Sequence, residues 1–358
     1  MPDDQLISAV AHRVAGPVSA SIAPRELADS VVAVLAGVPL DQAAANLGMR
    51  PEDLADAVEV YHAAGYAALQ AQDDHSWYQV RIQFTHWDTA ERIAATELAS
   101  WLRRLEDAEV VAAWWFIRKA PCLRLRLLPG PAGSAADMKA SVSTILDGLV
   151  KASLIERWWQ TRYEPESAVF GGLAAMDVAH ALFHADSRYV LDHALRPTAV
   201  NEATLGRREL SVLLCSALLR GAGQDYYEQG DVWHRVAQLR PLPHEMHTEK
   251  LQKMTNGLRL LINADLHPTG ALFGPGGPLA YAADWMTAFD IAGRALGTVA
   301  ADGTLERGVR DTLAHHVIFH WNRVGLSART QSILARAARE TLLGQPHPSP
   351  GAHAAGGQ

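Results

Sequence analysis

The sequence predicts an α+β fold, in which a split βαβ (ferredoxin-like) sheet is followed by a helical C-terminal half and preceded by a small helical module. Three observations predict it. Residues 1–72 show apolar residues at helical spacing. Residues 77–163 read as strand, helix, strand, strand, helix, strand, which is the order of a split βαβ unit. Beyond residue 173 only helical patterns follow.

The first segment, residues 1–72, is predicted to be a separate module with a helix-turn-helix outline. Apolar residues recur at helical spacing between Leu27 and Leu35, and Pro51 opens a longer helix. Nine Asp or Glu against three Arg give the segment a net charge of −6. Because a DNA-reading helix needs Arg or Lys, we favour a module that packs on the main body or docks a peptide.

The first strand of the sheet is predicted from the alternation of apolar and polar side chains. Residues 77–85 alternate strictly between apolar and polar side chains, as a half-buried strand does. Further strands are predicted at 110–118, 122–127 and 156–163, and the connecting helices at 88–104 and 137–152.

In the third strand, leucines alternate with Arg124 and Arg126. The pleat therefore places both arginines on one face, about 7 Å apart by twice the strand rise. With Arg118 just upstream, we expect a cationic floor on the sheet that suits carboxylates and peptide carbonyls. A solvated, ion-paired face is the alternative.

The C-terminal half is predicted to be helical at 174–195, 206–220, 224–237, 245–262, 280–296, 305–323 and 327–343. The loop at 266–280 is a candidate substrate-contacting segment or an ordinary surface connection. The tail at 345–358 has low complexity and is predicted to be disordered. The domains are thus 1–72, 73–344 and the tail.

Composition narrows the classes of function. Apolar residues make up 49% of the 358 positions, which excludes global disorder. A net charge of −7 argues against a protein that grips nucleic acid. No apolar run is long enough for a membrane span, and the start is not a secretory signal. We therefore expect a cytoplasmic protein in which Cys122 and Cys215 are reduced.

Two histidine pairs have the i, i+4 spacing that can clamp zinc: His180 with His184, and His316 with His320. Neither pair carries the Glu of an HExxH motif, so no metal is expected. Proton transfer by a histidine on the inner face of a helix is the sharper interpretation, and a hydrogen-bonded core histidine is the alternative.

Four segments resemble the elimination domain of lantibiotic dehydratases. They are AWWFIRKAPCLRLRL at 113–127, YEPESAVFGG at 163–172, LFHADS at 182–187 and FHWNRVGL at 319–326. They follow the family order, and together they span roughly 75–343. The last segment looks most like the form found in the short pyridine synthases of thiopeptide pathways.

One departure separates two branches of that family. Elimination domains carry an arginine before YGG for a glutamylated Ser or Thr, whereas Val169 stands at the matching position here. Because valine offers no salt bridge to glutamate, the resemblance favours a neutral, heteroaromatic peptide as the substrate.

The resemblance implies a pyridine synthase that needs no cofactor. Its substrate would be a ribosomally made peptide with thiazoles and two dehydroalanines. One dehydroalanine and its neighbouring carbonyl would form a 2-azadiene, which adds to the second dehydroalanine in a formal [4+2] aza-cycloaddition. Loss of water and of the leader peptide would then leave a pyridine within a macrocycle.

The resemblance assigns roles to the residues of this sequence that stand at the family's motif positions. The resemblance implies His320 as the acid–base group, with Tyr163 and Glu166 as further candidates. Arg124 and Arg126, and by a similar match Arg118, would orient carbonyls. The remaining expected substrate contacts are Phe170, Gly171, Trp285, Asn322 and Arg323. Asp186 is expected to cap a helix or to pair with Arg188 rather than to react.

The implied partner is the modified precursor peptide, through both its core and its leader, and other modifying enzymes of the pathway are further partners. Binding to nucleic acid or to a membrane is not expected. The leader would dock on the N-terminal module or on the cationic face. Two other functions stay open: a stand-alone glutamate-elimination lyase that forms dehydroalanine, and a non-catalytic peptide-binding scaffold.

Overall fold

A computed structural model of the chain describes residues 22–74, 77–196, 205–242 and 248–344. The chain divides into two compact units, Met1–Asp73 and Asp74–Gln358. The predicted tail at 345–358 lies outside the described residues.

The N-terminal unit contains three helices: α1 (Pro24–Leu35), α2 (Leu40–Leu47) and α3 (Pro51–Asp74). Its small core holds Val31, Ala43, Ala44 and Leu54. The helix α2 ends at Gly48, whose φ of 65° is left-handed and therefore favours glycine. The turn that follows leads directly into Pro51, the first residue of α3, where the missing N–H of proline costs nothing.

The second unit begins with a four-stranded sheet. Its strands are β1 (Tyr78–Phe84), β2 (Val111–Lys119), β3 (Cys122–Pro129) and β4 (Ile155–Thr161). They lie in the order β2-β3-β1-β4, and every neighbouring pair is antiparallel. This is the strand order of a split βαβ unit, so the predicted fold class is confirmed.

Helices connect the strands and cover one face of the sheet. After β1 come a 3-10 turn (Trp87–Thr89), α4 (Ala90–Ile93), a π-helical turn (Ala94–Leu98) and α5 (Ala99–Asp107); α6 (Ala135–Lys151) connects β3 to β4. A capping box of Ser134 and Asp137 begins α6. The buried face of β3 presents Leu123, Leu125 and Leu127, as the alternation predicts.

The C-terminal half is helical, in agreement with the prediction. It contains α7 (Ser167–Phe170), α8 (Leu173–Ala194), α9 (Arg207–Gly221), α10 (Tyr226–Leu239), α11 (Thr248–Ile262), α12 (Ala283–Ala301), α13 (Val309–Arg323) and α14 (Ala328–Leu343). The start of the predicted helix at 245–262 lies partly outside the described residues. Within the described ranges, no helix combines the length and apolar character that a membrane crossing needs.

The packing of α9 against α12 depends on glycine. A Cβ at Gly293 would lie 2.2 Å from the Leu218 carbonyl oxygen, so the two backbones are in contact there. One turn further along α12, a Cβ at Gly297 would meet Ala222 at an ordinary 3.4 Å.

Gly293→Ala is therefore expected to lower the free energy of unfolding by about 1–3 kcal/mol, because the helices must move apart. Gly297→Ala, the control on the same helix, is expected to be neutral or to raise stability by up to about 1 kcal/mol through helix propensity. Urea denaturation of the two variants compares them. Equal effects would show that close approach at Gly293 is unimportant.

Candidate functional site

A buried carboxylate organises the centre of the C-terminal half. Asp186 on α8 is fully buried. Its Oδ1 accepts a hydrogen bond from Trp285 Nε1 at 2.9 Å, and both of its oxygens lie 3.0 Å from His320 Nδ1. Its Oδ2 also accepts from Arg323 Nη1. We call these four residues the Asp186 cluster.

The partners of Asp186 keep it ionised. Burial alone would raise the pKa of this carboxyl group, but the charges and hydrogen bonds of His320 and Arg323 outweigh burial and lower it. The expectation that Asp186 pairs with Arg188 is wrong, because residues two apart on a helix point in different directions. Arg188 instead lies 3.6 Å from Glu106.

The carboxylate also orients His320. A hydrogen bond from Nδ1–H to Asp186 leaves Nε2 as the atom that can exchange a proton. His320 is 2% exposed, and among the described residues its Nε2 has no hydrogen-bond partner. The ring packs edge-on against Phe289, with centroids 4.9 Å apart. The predicted acid–base histidine is thus held rigidly within the protein.

The LFHADS and FHWNRVGL segments meet at the outer edge of the sheet. There β2 is an edge strand, and side chains from α8 and α13 bind its free backbone groups. Trp114 N–H donates to His184 Nδ1 and Phe116 N–H donates to Ser187 Oγ, each at 3.1 Å. Arg323 Nε donates to the Phe116 carbonyl at 3.0 Å. Part of each motif therefore serves to dock helices on the sheet.

A group of aromatic rings lies on the face of the sheet opposite the helices α5 and α6. This aromatic cluster contains Trp77, Trp115, Tyr163, His180 and Phe183. The Tyr163 hydroxyl lies 2.8 Å from His180 Nε2, and the Trp77 ring lies 4.8 Å from the His180 ring. Burial, with the charge of Arg126, lowers the pKa of His180 to about 4. At neutral pH the Tyr163–His180 pair therefore carries an uncharged imidazole.

Arg126 reaches into this aromatic cluster. Its guanidinium carbon lies 3.9 Å from the Trp115 ring centroid and 4.8 Å from that of Tyr163. Burial, with the charges of Arg124 and Arg323, lowers its pKa to about 9. Its Nε and Nη1 are buried and have no hydrogen-bond partner within the described ranges. Arg126 therefore has donors available for a carbonyl or a carboxylate.

The predicted cationic floor is only partly correct. Arg124 and Arg126 share a face, since they pair in register with Ile117 and Trp115 of β2. Arg118 pairs with Leu123, so it lies on the opposite face, and its inclusion in the floor is wrong. There it lies 3.3 Å from Glu91, at the start of the helical segment that covers this side.

The Gly171-Gly172 turn serves the protein's own packing. Both residues have left-handed φ angles, of 91° and 93°. A Cβ at Gly171 would lie 3.0 Å from Thr312 Oγ1, and its carbonyl accepts from Glu306 N–H at 2.9 Å. The adjacent Phe170 is fully buried against Phe183.

The other predicted site residues are more scattered. Glu166 is exposed just before α7, and its charge acts on Arg126. Asn322 is half-buried and accepts from Gln331 Nε2 at 2.9 Å, which ties α13 to α14. Trp285 is buried in the Asp186 cluster, 3% exposed. Cys122 and Cys215 are both free thiols.

A cavity of about 550 Å³ opens at the end of the sheet where β1 begins and β4 ends. Its lining includes Trp77, Gln79, Thr161 and Tyr163, so it borders the Tyr163–His180 pair. A second cavity, of about 710 Å³, is apolar and includes Leu272 from the loop at 266–280. None of the predicted site residues lines the second cavity.

Among the described residues, no group of three or more His, Cys, Asp or Glu side chains is arranged to hold a metal ion. The first pair instead divides between two contacts, since His180 bonds Tyr163 and His184 bonds the backbone of β2. In the second pair His320 bonds Asp186, and within the described ranges neither ring nitrogen of His316 has a hydrogen-bond partner.

Sequence reasoning missed two central members of the site. The sequence singles out His180 only as one of four paired histidines that could bind zinc or transfer a proton, and it predicts for Asp186 only a helix cap or a pair with Arg188. A usable signal was helical spacing, because His180, His184 and Ser187 share the face of α8 that points to the sheet.

Comparisons with known proteins agree with this fold. The family described as "Lantibiotic biosynthesis dehydratase C-term" matches residues 77–342. Among solved structures, the chain is similar to the tRNA dependent lantibiotic dehydratase MibB from Microbispora sp. 107891, with 18% identity and a TM-score of 0.54 over 75% of this chain. That match covers 28% of MibB, so the chain spans less than a third of that enzyme.

Two shorter proteins match along almost their whole length. TsrL is 15% identical, with a TM-score of 0.50, over 76% of this chain and 99% of TsrL. TbtD, a pyridine synthase from thiomuracin biosynthesis, is 9% identical, with a TM-score of 0.51, over 75% of this chain and 97% of TbtD. At such identities the likeness concerns the fold. No similar sequence was found among curated proteins. With the family match extending over residues 77–342, the chain belongs to the lantibiotic biosynthesis dehydratase C-terminal family.

Proposed function

We propose that the chain is a pyridine synthase of thiopeptide biosynthesis. It joins two dehydroalanines of a thiazole-containing precursor peptide, then removes water and the leader peptide to form the macrocycle. The observation that carries this proposal is the uncharged Tyr163–His180 pair, set among aromatic rings beside a cavity of about 550 Å³. Flat heteroaromatic rings pack well on such a wall.

The proposed reaction requires only proton transfers from the protein, while the substrate itself forms and breaks the other bonds. A proton moves from the amide nitrogen of one dehydroalanine to the neighbouring carbonyl oxygen, which creates the 2-azadiene. Two carbon–carbon bonds then join its ends to the second alkene. Loss of water and of the leader peptide as a carboxamide makes the new six-membered ring aromatic, and no oxidant is consumed. Holding the alkenes together is worth up to about 7–11 kcal/mol of the barrier.

Two groups are proposed to move these protons. Tyr163 donates from its hydroxyl at the cavity and is recharged through His180. His320 acts through Nε2 and is positioned by Asp186. Arg126, with Arg124 on the same face, binds the reacting carbonyl through its available donors.

One observation favours a second function, glutamate elimination. The buried donors of Arg126 would suit the carboxylate of a glutamylated Ser or Thr as well as a carbonyl. Against it, Val169 at the family's arginine position packs with the apolar side chains of the aromatic cluster.

Incubation of the protein with two different substrates distinguishes the two functions. The purified protein is incubated with a bis-dehydroalanine thiazolyl peptide and, separately, with a glutamylated precursor, and the products are analysed by mass spectrometry. A macrocycle together with a leader carboxamide supports the pyridine synthase. Release of glutamate supports elimination, and the absence of both products supports a binding scaffold.

Leader binding is proposed for the N-terminal unit, with the cationic face formed by Arg124 and Arg126 as the competing site. Deletion of residues 1–72 is expected to weaken binding of a fluorescent leader peptide. Unchanged affinity would assign the leader to the second unit.

Tyr163→Phe is expected to reduce the rate of macrocycle formation by about 10²–10⁴-fold with little change in KM, because it removes a proton donor and keeps the ring. Tyr227→Phe is the control, since Tyr227 is 70% exposed. Single-turnover mass spectrometry measures both rates. A full rate for Tyr163→Phe would remove this hydroxyl from the mechanism.

A further inference from the structure

One face of α13 carries a buried polar stripe. Thr312, His316, His320 and Arg323 follow at intervals of four, four and three residues, which aligns them along one side of a helix. All four are at most 2% exposed. We call this face the α13 seam.

The seam holds an unusual number of polar atoms without protein partners. Within the described ranges, no hydrogen bond is made by Thr312 Oγ1, by either ring nitrogen of His316, by His320 Nε2 or by Arg323 Nη2. Native proteins bury few such atoms, and they are ordinarily satisfied by ordered water or a ligand. Five on one helix face therefore require a common explanation.

Aromatic rings separate this stripe from the rest of the core. The His316 ring lies 4.9 Å from the Phe170 ring and 6.0 Å from the Phe183 ring. At one end of the seam Thr312 lies against Gly171, and at the other Asp186 holds His320. The seam thus runs from the glycine turn to the Asp186 cluster.

The chemistry of these atoms fits water better than an ion. Hydroxyl and imidazole groups both donate and accept, as water does, whereas an ion needs one kind of partner. The charge of Arg323 is already compensated by Asp186. Successive residues are one helical turn, about 5.4 Å, apart. That distance is about two hydrogen bonds long, which is the span that one bridging water between successive groups would cover.

We propose that the α13 seam holds a chain of ordered waters that carries protons between His320 and the exposed Glu306 carboxylate, which lies against Gly172 and exchanges them with solvent, with His316 as the central relay. The relay role rests on the proposed function, because His320 needs a route for its proton only if it acts in catalysis. The presence of the waters does not depend on that function.

A high-resolution crystal structure of the full chain tests the water chain without any substrate. Water density within hydrogen-bond distance of Thr312 Oγ1 and of the His316 ring nitrogens is the expected result. A seam without water density overturns the inference, even if the protein forms pyridines. If water is present and no pyridine forms, the proposed function fails and the water site stands.

Kinetics of variants then test the relay. His316→Phe suits the surrounding rings and removes both nitrogens, and we expect at least a tenfold loss in kcat, unchanged KM and an altered solvent deuterium isotope effect. His316→Gln, which can still bond to water, is expected to recover part of the rate. The control is His315→Phe, because His315 is off the seam and bonds the Asp311 carbonyl. Normal kcat and isotope effect in His316→Phe would overturn the relay.

Discussion

Asp186→Asn is expected to lower the free energy of unfolding of the second unit by about 3–5 kcal/mol. The substitution keeps the shape of the side chain but removes its charge, and the buried guanidinium of Arg323 is then left without a counter-charge. It also disturbs the hydrogen bonds from Trp285 and His320. Three elements, α8, α12 and α13, lose their common anchor.

Tryptophan fluorescence during urea denaturation measures this effect well. All ten tryptophans lie between Trp77 and Trp321, so the signal reports on the second unit alone. Asp192→Asn is the control on the same helix, since Asp192 pairs with Arg103 while it is 48% exposed. An exposed pair is worth at most about 1 kcal/mol. A similarly small loss for Asp186→Asn would show that the Asp186 cluster is not a structural anchor.

The fold was accessible from the sequence because its signals are local. Strict alternation marks β1, leucine–arginine alternation marks β3, and the helical patterns after residue 173 are long. The sheet order follows from the sequence of strands and helices, since few topologies suit it. The sequence predicts a continuous helix at 88–104, but a π-helical turn interrupts the helix after β1 at Ala94–Leu98.

The site was less accessible because its contacts join distant parts of the chain. Asp186 and His320 are 134 residues apart, and no spacing rule connects them. The alternation of leucine and arginine correctly predicts that Arg124 and Arg126 share a face of the sheet. The closeness of Arg118 in the sequence wrongly suggests that it lies on that face too. The cis peptide Ala120–Pro121 joins β2 to β3 there, and the cross-strand register, rather than distance along the chain, decides which residues share a face.

The two motifs at the outer edge of β2 combine structural and chemical roles. Ser187 and Arg323 bind the backbone of Phe116, while Asp186 and His320, from the same two segments, pair with each other in the Asp186 cluster. Docking the helices on the strand therefore also sets the position of the proposed acid–base group. A family pattern across these residues reports on both roles at once.

Acid is expected to destabilise the second unit far more steeply than its surface charges would suggest. Burial and the charge of Arg126 lower the pKa of His180 to about 4, and burial with the charges of Arg323 and His315 lowers that of His316 to about 3, against an ordinary 6.5. Below pH 6.5 both histidines therefore bind a proton in the unfolded chain, whereas in the folded chain they stay uncharged until the pH approaches their lowered pKa values. Their contribution to stability is complete above pH 6.5 and declines as the pH falls.

Each of the two histidines lowers the free energy of unfolding by about 1.4 kcal/mol for every pH unit that the pH falls. Together they give a slope of nearly 3 kcal/mol per pH unit between about pH 6 and pH 4. Urea denaturation at a series of pH values measures it. His180→Phe and His316→Phe are each expected to halve the slope, whereas Gly293→Ala lowers stability equally at every pH because it changes packing alone. A slope that survives both histidine substitutions would place the titration on other groups, since no other lowered histidine pKa of this size occurs among the described residues.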